Sequence, residues 1–271
     1  MSDLYGFDAF SPAEVAHRID AIGVAKARLP LRAMGLLAVL AGAFIGLGAT
    51  LYLLVGADTA SPFAAQRLLA GVAFSLGLLL VVVAGAELFT GNNLLAMAWA
   101  SGRIGTREVL RNWVVVCAGN FVGASGLALL VWLARTGDLD GGRLGAQALA
   151  LVAAKSALPP LVAFFKGVLC NVLVCMAVWM AAAGRSVVDK AVAIVPPIAA
   201  FVALGFEHSI ANMFFFAFAM LLDPARAGEI GIAMLANLGP VIAGNLVGGS
   251  VLVAGIYWVI YERDRPQPPP P

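Results

Sequence analysis

Six long apolar runs dominate the pattern of this 271-residue chain, with polar residues gathered between them. They fall at about 33–55, 68–100, 110–134, 157–183, 188–222 and 230–261, and each supplies the roughly 20 residues of helix that cross a bilayer's hydrocarbon core. Runs two and five are too long for one crossing and are interrupted. The second has 19 uncharged residues from Leu68 to Ala86, then Glu87-Leu88-Phe89-Thr90-Gly91-Asn92, then seven apolar residues before Ser101-Gly102-Arg103. The fifth has 16 uncharged residues ending at Phe206, then Glu207-His208-Ser209-Ile210-Ala211-Asn212, then ten more to Leu222. Each predicts a broken helix. A break at bilayer depth frees backbone groups that only protein or a water-lined cavity can satisfy.

Ahead of these runs, Ser11-Pro12-Ala13-Glu14 has the form of a capping box, with Val15, Ile19 and Ile22 at helical spacing behind it. His17, Arg18, Asp20 and Lys26 stand opposite, which predicts an amphipathic helix on the membrane face, ended by Pro30. The pattern divides the chain into this N-terminal helix (1–30), two three-helix units (31–135 and 136–262) and a Pro-rich tail (263–271).

The two interruptions echo each other. Gly85, Glu87 and Asn92 recur 120 positions on as Gly205, Glu207 and Asn212. Gly119-Asn120-Phe121-Val122-Gly123 is answered 125 positions on by Gly244-Asn245-Leu246-Val247-Gly248. The motifs keep their order, so the two units read as copies of one another. Three crossings is an odd number, so the copies must lie upside down relative to each other, an architecture of transporters whose site sits where the breaks meet. The N-terminal ends of two half-helices, near Asn92 and Ile210, would present free N–H groups and partial positive charge to a small anion.

Composition agrees with a membrane protein. Apolar residues make up 62% and charged residues 12%, and the mean hydropathy is +0.95. In the loops flanking the runs, eleven Lys and Arg fall on the side of the N-terminus and five on the other, which predicts both termini in the cytoplasm. A net charge of +2 without a basic and aromatic cluster excludes nucleic acid as a partner. Cys117, Cys170 and Cys175 lie in apolar runs without metal-ligand spacing, and no cofactor motif is present. The Phe214-Phe215-Phe216 run is expected against lipid or a neighbouring protomer. No second His, metal-ligand set or activated nucleophile accompanies His208, which argues against an enzyme.

Taken together, Glu87-Leu88-Phe89-Thr90-Gly91-Asn92, Lys166-Gly167-Val168-Leu169-Cys170-Asn171, Gly205 to Met213, and Gly244-Asn245 before Tyr257-Trp258 resemble the formate/nitrite transporter family. The resemblance implies an all-α, aquaporin-like protomer of six transmembrane helices in an inverted three-plus-three repeat. It also implies a homopentamer in the bacterial inner membrane, with one pore per protomer. His208 matches the family's central pore histidine and Thr90 the residue that hydrogen-bonds towards it. Leu78, Leu88, Phe89 and Val174 match a cytoplasmic constriction, and Phe74 and Phe201 a periplasmic one. Lys155, Asn171, Glu207 and Asn245 match the polar set of the centre and outer vestibule. Glu87 reads as structural, accepting bonds from backbone N–H groups freed by the break.

Desolvating a bare anion at two apolar constrictions is costly, whereas a neutral weak acid passes. The expected mechanism has Lys155 and the half-helix ends draw in the anion. His208 then hands over a proton or fixes the anion while a proton arrives through water. Glu207 and Asn171 are candidates to orient the ring. The expected substrates are nitrite and formate, with the balance towards nitrite on the Glu87-Leu88-Phe89-Thr90-Gly91 turn. A hydrosulfide channel is an alternative. So is a water- or glycerol-type channel, although neither break carries that class's Asn-Pro-Ala turn.

Overall fold

A computed structural model describes residues 9–263, and among them the secondary structure is helical throughout. The Pro-rich tail and the first eight residues lie outside the described residues. Helix α1 (Pro12–Ala27) is capped by Ser11, whose hydroxyl accepts from the Glu14 N–H while the Glu14 carboxylate accepts from the Ser11 N–H. The Ser11 hydroxyl, which donates to the Glu14 carboxylate (2.7 Å), and the Ser11 N–H together hold the Glu14 carboxyl below its ordinary value of 4.5. The long helices are α2 (Leu31–Gly56), α6 (Thr106–Leu133), α8 (Pro160–Ala183) and α11 (Ala227–Leu246). Among the described residues, five helical segments are long and apolar enough to cross a membrane: α2, α6, α8, the span Phe63–Ala84, and Pro224–Tyr261, which contains α11.

The second apolar run forms α3 (Phe63–Phe74), α4 (Leu76–Ala84), an irregular stretch, a 3-10 turn (Gly91–Leu94) and α5 (Leu95–Ala100). The fifth forms α9 (Val187–Ala203) and α10 (Ser209–Leu222), separated by Leu204 to His208. Both breaks fall where the polar residues interrupt the pattern. Gly85 and Gly205 end the leading half-helices at φ of 79° and 70°, a left-handed conformation that suits glycine. The last run passes from α11 through a π-helical stretch, Val247–Gly255, into α12 (Ile256–Tyr261).

Helix α7 (Arg143–Ser156), which the apolar pattern does not announce, packs against α10 and α11. Nor is α1 a free surface helix. It packs on α5 and α8, Asp20 is buried with its carboxylate on Arg103, and Lys26 turns inward to Glu87. Two of the four residues expected on its solvated face are therefore inward. Phe214, Phe215 and Phe216 are also buried inside the protomer rather than facing lipid.

Two close helix pairs hold the breaks. Helix α6 lies so near α2 that a β-carbon at Gly123 would fall 1.9 Å from the Val39 carbonyl oxygen. Helix α11 lies similarly close to α8, where one at Gly244 would fall 2.2 Å from the Phe164 oxygen. The glycines of the repeated Gly-Asn motif are there because two backbones meet. Small residues serve this purpose between membrane helices, where apolar burial gives little drive.

Candidate functional site

The freed backbone of each break is held by one asparagine. Asn120 Nδ2 donates to the Glu87 carbonyl (2.9 Å) and the Ala38 carbonyl (2.7 Å), while its Oδ1 accepts from the Phe89 N–H (2.9 Å). Asn245 Nδ2 donates to the Glu207 carbonyl (3.0 Å) and the Gly167 carbonyl (2.8 Å), while its Oδ1 accepts from the Ser209 N–H (3.0 Å). Buried backbone groups without partners are costly, and these side chains supply the partners.

Each break also holds a buried carboxylate. Glu87 accepts from Lys26 Nζ (2.7 Å) and Asn92 Nδ2 (2.6 Å), and Asn92 Nδ2 also donates to Asn112 Oδ1 (2.9 Å). Glu207 accepts from Lys155 Nζ (2.8 Å) and Asn212 Nδ2 (2.7 Å), and Asn212 Nδ2 also donates to Asn237 Oδ1 (2.8 Å). Asn112 donates to the Lys26 carbonyl and Asn237 to the Lys155 carbonyl, both at 3.3 Å. These four bonds match between the two networks; Lys26 Nζ adds a fifth, to Asn92 Oδ1 (3.1 Å), whereas Asn212 Oδ1 has no hydrogen-bond partner among the described residues. Glu87 was expected to accept from backbone N–H groups freed by the break; its partners are side chains instead, and Asn120 takes the backbone groups.

His208 is the N-cap of α10, and its Nδ1 accepts from the Ala211 N–H (3.1 Å). A ring whose Nδ1 lone pair is so occupied carries its hydrogen on Nε2, which then donates to Thr90 Oγ1 (2.9 Å). The imidazole is buried and neutral in this arrangement. Phe201 stacks on it at a centroid distance of 5.9 Å, and Phe74 meets it edge-on at 6.4 Å. Neither Glu207 nor Asn171 touches the ring. Asn171 reaches it only through Thr90, donating to the Thr90 carbonyl (3.2 Å) and to the Asn93 side chain (2.7 Å).

A cavity lies at each break. One, of about 210 Å³, is lined by Lys155, Lys166, Phe74, Phe201, Glu207 and His208. The other, of about 440 Å³, is lined by Lys26, Leu78, Leu88, Glu87, Lys190 and Arg18. Thr90, Leu88 and Leu78 are all buried. Among the expected pathway residues, His208, Phe74, Phe201, Lys155 and Glu207 line the first cavity, and Leu78 and Leu88 the second. Phe89, Val174, Asn171 and Asn245 are buried and line neither. Lys26, Asn112 and Asn237 were missed. Their partners lie far along the chain, and only an unusual Asn on an apolar helix face marks two of them.

The chain was compared with known families and structures. The family model described as "Formate/nitrite transporter" matches residues 13–259. The formate channel FocA of Escherichia coli (strain K12) is 40% identical over 277 residues, covering 96% of this chain and 97% of the relative. A probable formate transporter of Methanothermobacter thermautotrophicus is 37% identical over 272 residues, covering 94% and 98%. These relatives are a channel and a transporter, not enzymes, as the lack of a catalytic constellation at His208 leads one to expect. A solved pentameric formate channel with formate bound is 40% identical at a TM-score of 0.78, covering 85% of this chain and 97% of that one. A solved FNT family ion channel is 33% identical at a TM-score of 0.81, covering 91% and 98%.

Proposed function

The chain belongs to the formate/nitrite transporter family, and on that premise we propose that it is a membrane channel for formate and closely similar weak-acid anions. The observation that carries this reading is a buried His208–Thr90 pair that joins the two breaks, with a cavity at each break lined by a lysine and the buried glutamate it holds. Nitrite is the second substrate, since it too is small, planar and singly charged. The named relatives move the weight from nitrite towards formate.

In this reading the broken α9–α10 pair completes six crossings, and the matching asparagine and glutamate networks are the two halves of an inverted repeat. Both termini are cytoplasmic, so α1 borders the inner mouth and Lys155 the outer one. The protomers assemble as a pentamer with one path each, in the bacterial inner membrane. The family's solved pentamer supports the number.

The path works by excluding charge at its two narrow points. Phe74 and Phe201 on one side, and Leu78 and Leu88 on the other, leave no solvent to hold a bare anion, and desolvating one costs many kcal/mol. Lys155 and Lys26 raise anion concentration in the mouths. At the centre His208 donates from Nε2 to the Thr90 oxygen, which frees the Thr90 hydroxyl hydrogen for an anion oxygen. The ring therefore fixes the anion while a proton reaches it through water, and the neutral acid leaves.

Flux of formate, nitrite, hydrosulfide and glycerol into proteoliposomes, measured side by side at two pH values, tests the reading. Formate and nitrite should move, faster at the lower pH, and glycerol should not. Glycerol flux equal to formate flux would overturn it.

A further inference from the structure

We propose that His17, Asp20 and Glu262 form a site for one divalent transition-metal ion that ties α1 to the end of α12. His17 and Asp20 stand three residues apart, on one face of α1. Helix α12 packs against α1 and carries Glu262 at its C-cap. One donor atom from each residue lies within 4.8 Å of the other two. Tetrahedral zinc with bonds of about 2.1 Å places its ligands about 3.4 Å apart, so modest side-chain rotation closes the set around an ion.

A second feature points to a cation. Asp20 is 2% exposed, and only one of its oxygens is satisfied: Arg103 holds Oδ2, while Oδ1 has no hydrogen-bond partner among the described residues. A buried carboxylate oxygen without a partner is costly, and a metal ion would remove the cost. One imidazole nitrogen and two carboxylate oxygens suit zinc and its neighbours; the imidazole disfavours calcium and magnesium. The fourth position would be water.

The site is not part of the repeated scaffold. At the offset of 129 that relates Lys26 to Lys155, His17 and Asp20 correspond to Ala146 and Leu149, which ligate nothing. Nor does it belong to the His208 path, whose residues it does not share. The sequence did not announce it, because Glu262 lies at the far end of the chain. An ion here would fix the helix whose Ile19, Ile22 and Lys26 line the cavity of about 440 Å³.

The test uses the full-length, tag-free protein in detergent, stripped with chelator and titrated with Co²⁺ and then Zn²⁺. One Co²⁺ per chain should bind with a visible absorption that Zn²⁺ abolishes, and zinc should raise the unfolding temperature. Asp20→Asn also disturbs the Arg103 pair, so the deciding variant is the exposed His17→Gln, with Glu262→Gln beside it. Both should bind zinc at least about tenfold more weakly, since even outer-shell changes cost ten- to a hundredfold. Absence of uptake, or unchanged affinity in His17→Gln, would overturn the proposal.

Discussion

Asn245 satisfies three backbone groups at once, in a place that water does not reach. Asn245→Ala should therefore cost more than a lost surface bond, about 1–3 kcal/mol for each buried group left without a partner. Thermal unfolding in detergent reads this, and Asn120→Ala should behave alike. The Lys155–Glu207 pair, with side chains 10% and 4% exposed, gives a different signature. Removing one partner strands a buried charge at a cost of about 3–5 kcal/mol, so Glu207→Gln and Lys155→Met should each destabilise strongly. The double variant should recover much of the loss; additive effects would mean that the two do not act as a pair. The reach of these residues is what the sequence hid. Lys26 looked like one more cation on a solvated helix face, because nothing local marks Glu87, 61 residues away, as its partner. Asn112 and Asn237 were missed for the same reason.

The interrupted helices were legible because six-residue polar stretches stand out sharply against apolar runs. The repeated Gly-Asn motif was legible as a repeat, although its purpose needed coordinates. Gly123 meets the Val39 carbonyl, so Gly123→Ala forces α6 and α2 apart, whereas Gly126 has nothing within 4 Å of an added β-carbon. Gly123→Ala should lower the unfolding midpoint by the equivalent of about 1–3 kcal/mol, and Gly126→Ala should leave it near wild type. Equal effects at both positions would contradict the close packing. Helix α7 was not legible. Its Leu and Ala positions are separated by Arg143, Gln147 and Lys155 behind a glycine pair, so it forms no run long enough to stand out. Its relation to α1 emerges only when Lys26 and Lys155 are found holding equivalent glutamates.

Across the whole molecule, the two matching networks differ at one point of consequence. His208 follows Glu207 directly, and the residue that follows Glu87 is Leu88. One half of the molecule therefore supplies the titratable ring, while the other supplies an apolar side chain beside Thr90. The account rests on that asymmetry: one imidazole caps a half-helix and donates to one threonine of the other break. Formate flux through proteoliposomes containing His208→Asn, set against wild type over a range of pH, tests this most directly. Asparagine can still cap α10, so the fold should survive. The account predicts that flux falls about a hundredfold across the pH range, the scale expected when a preorganised donor that turns a hydrogen towards an anion is removed. Unchanged flux with an unchanged pH profile would contradict it.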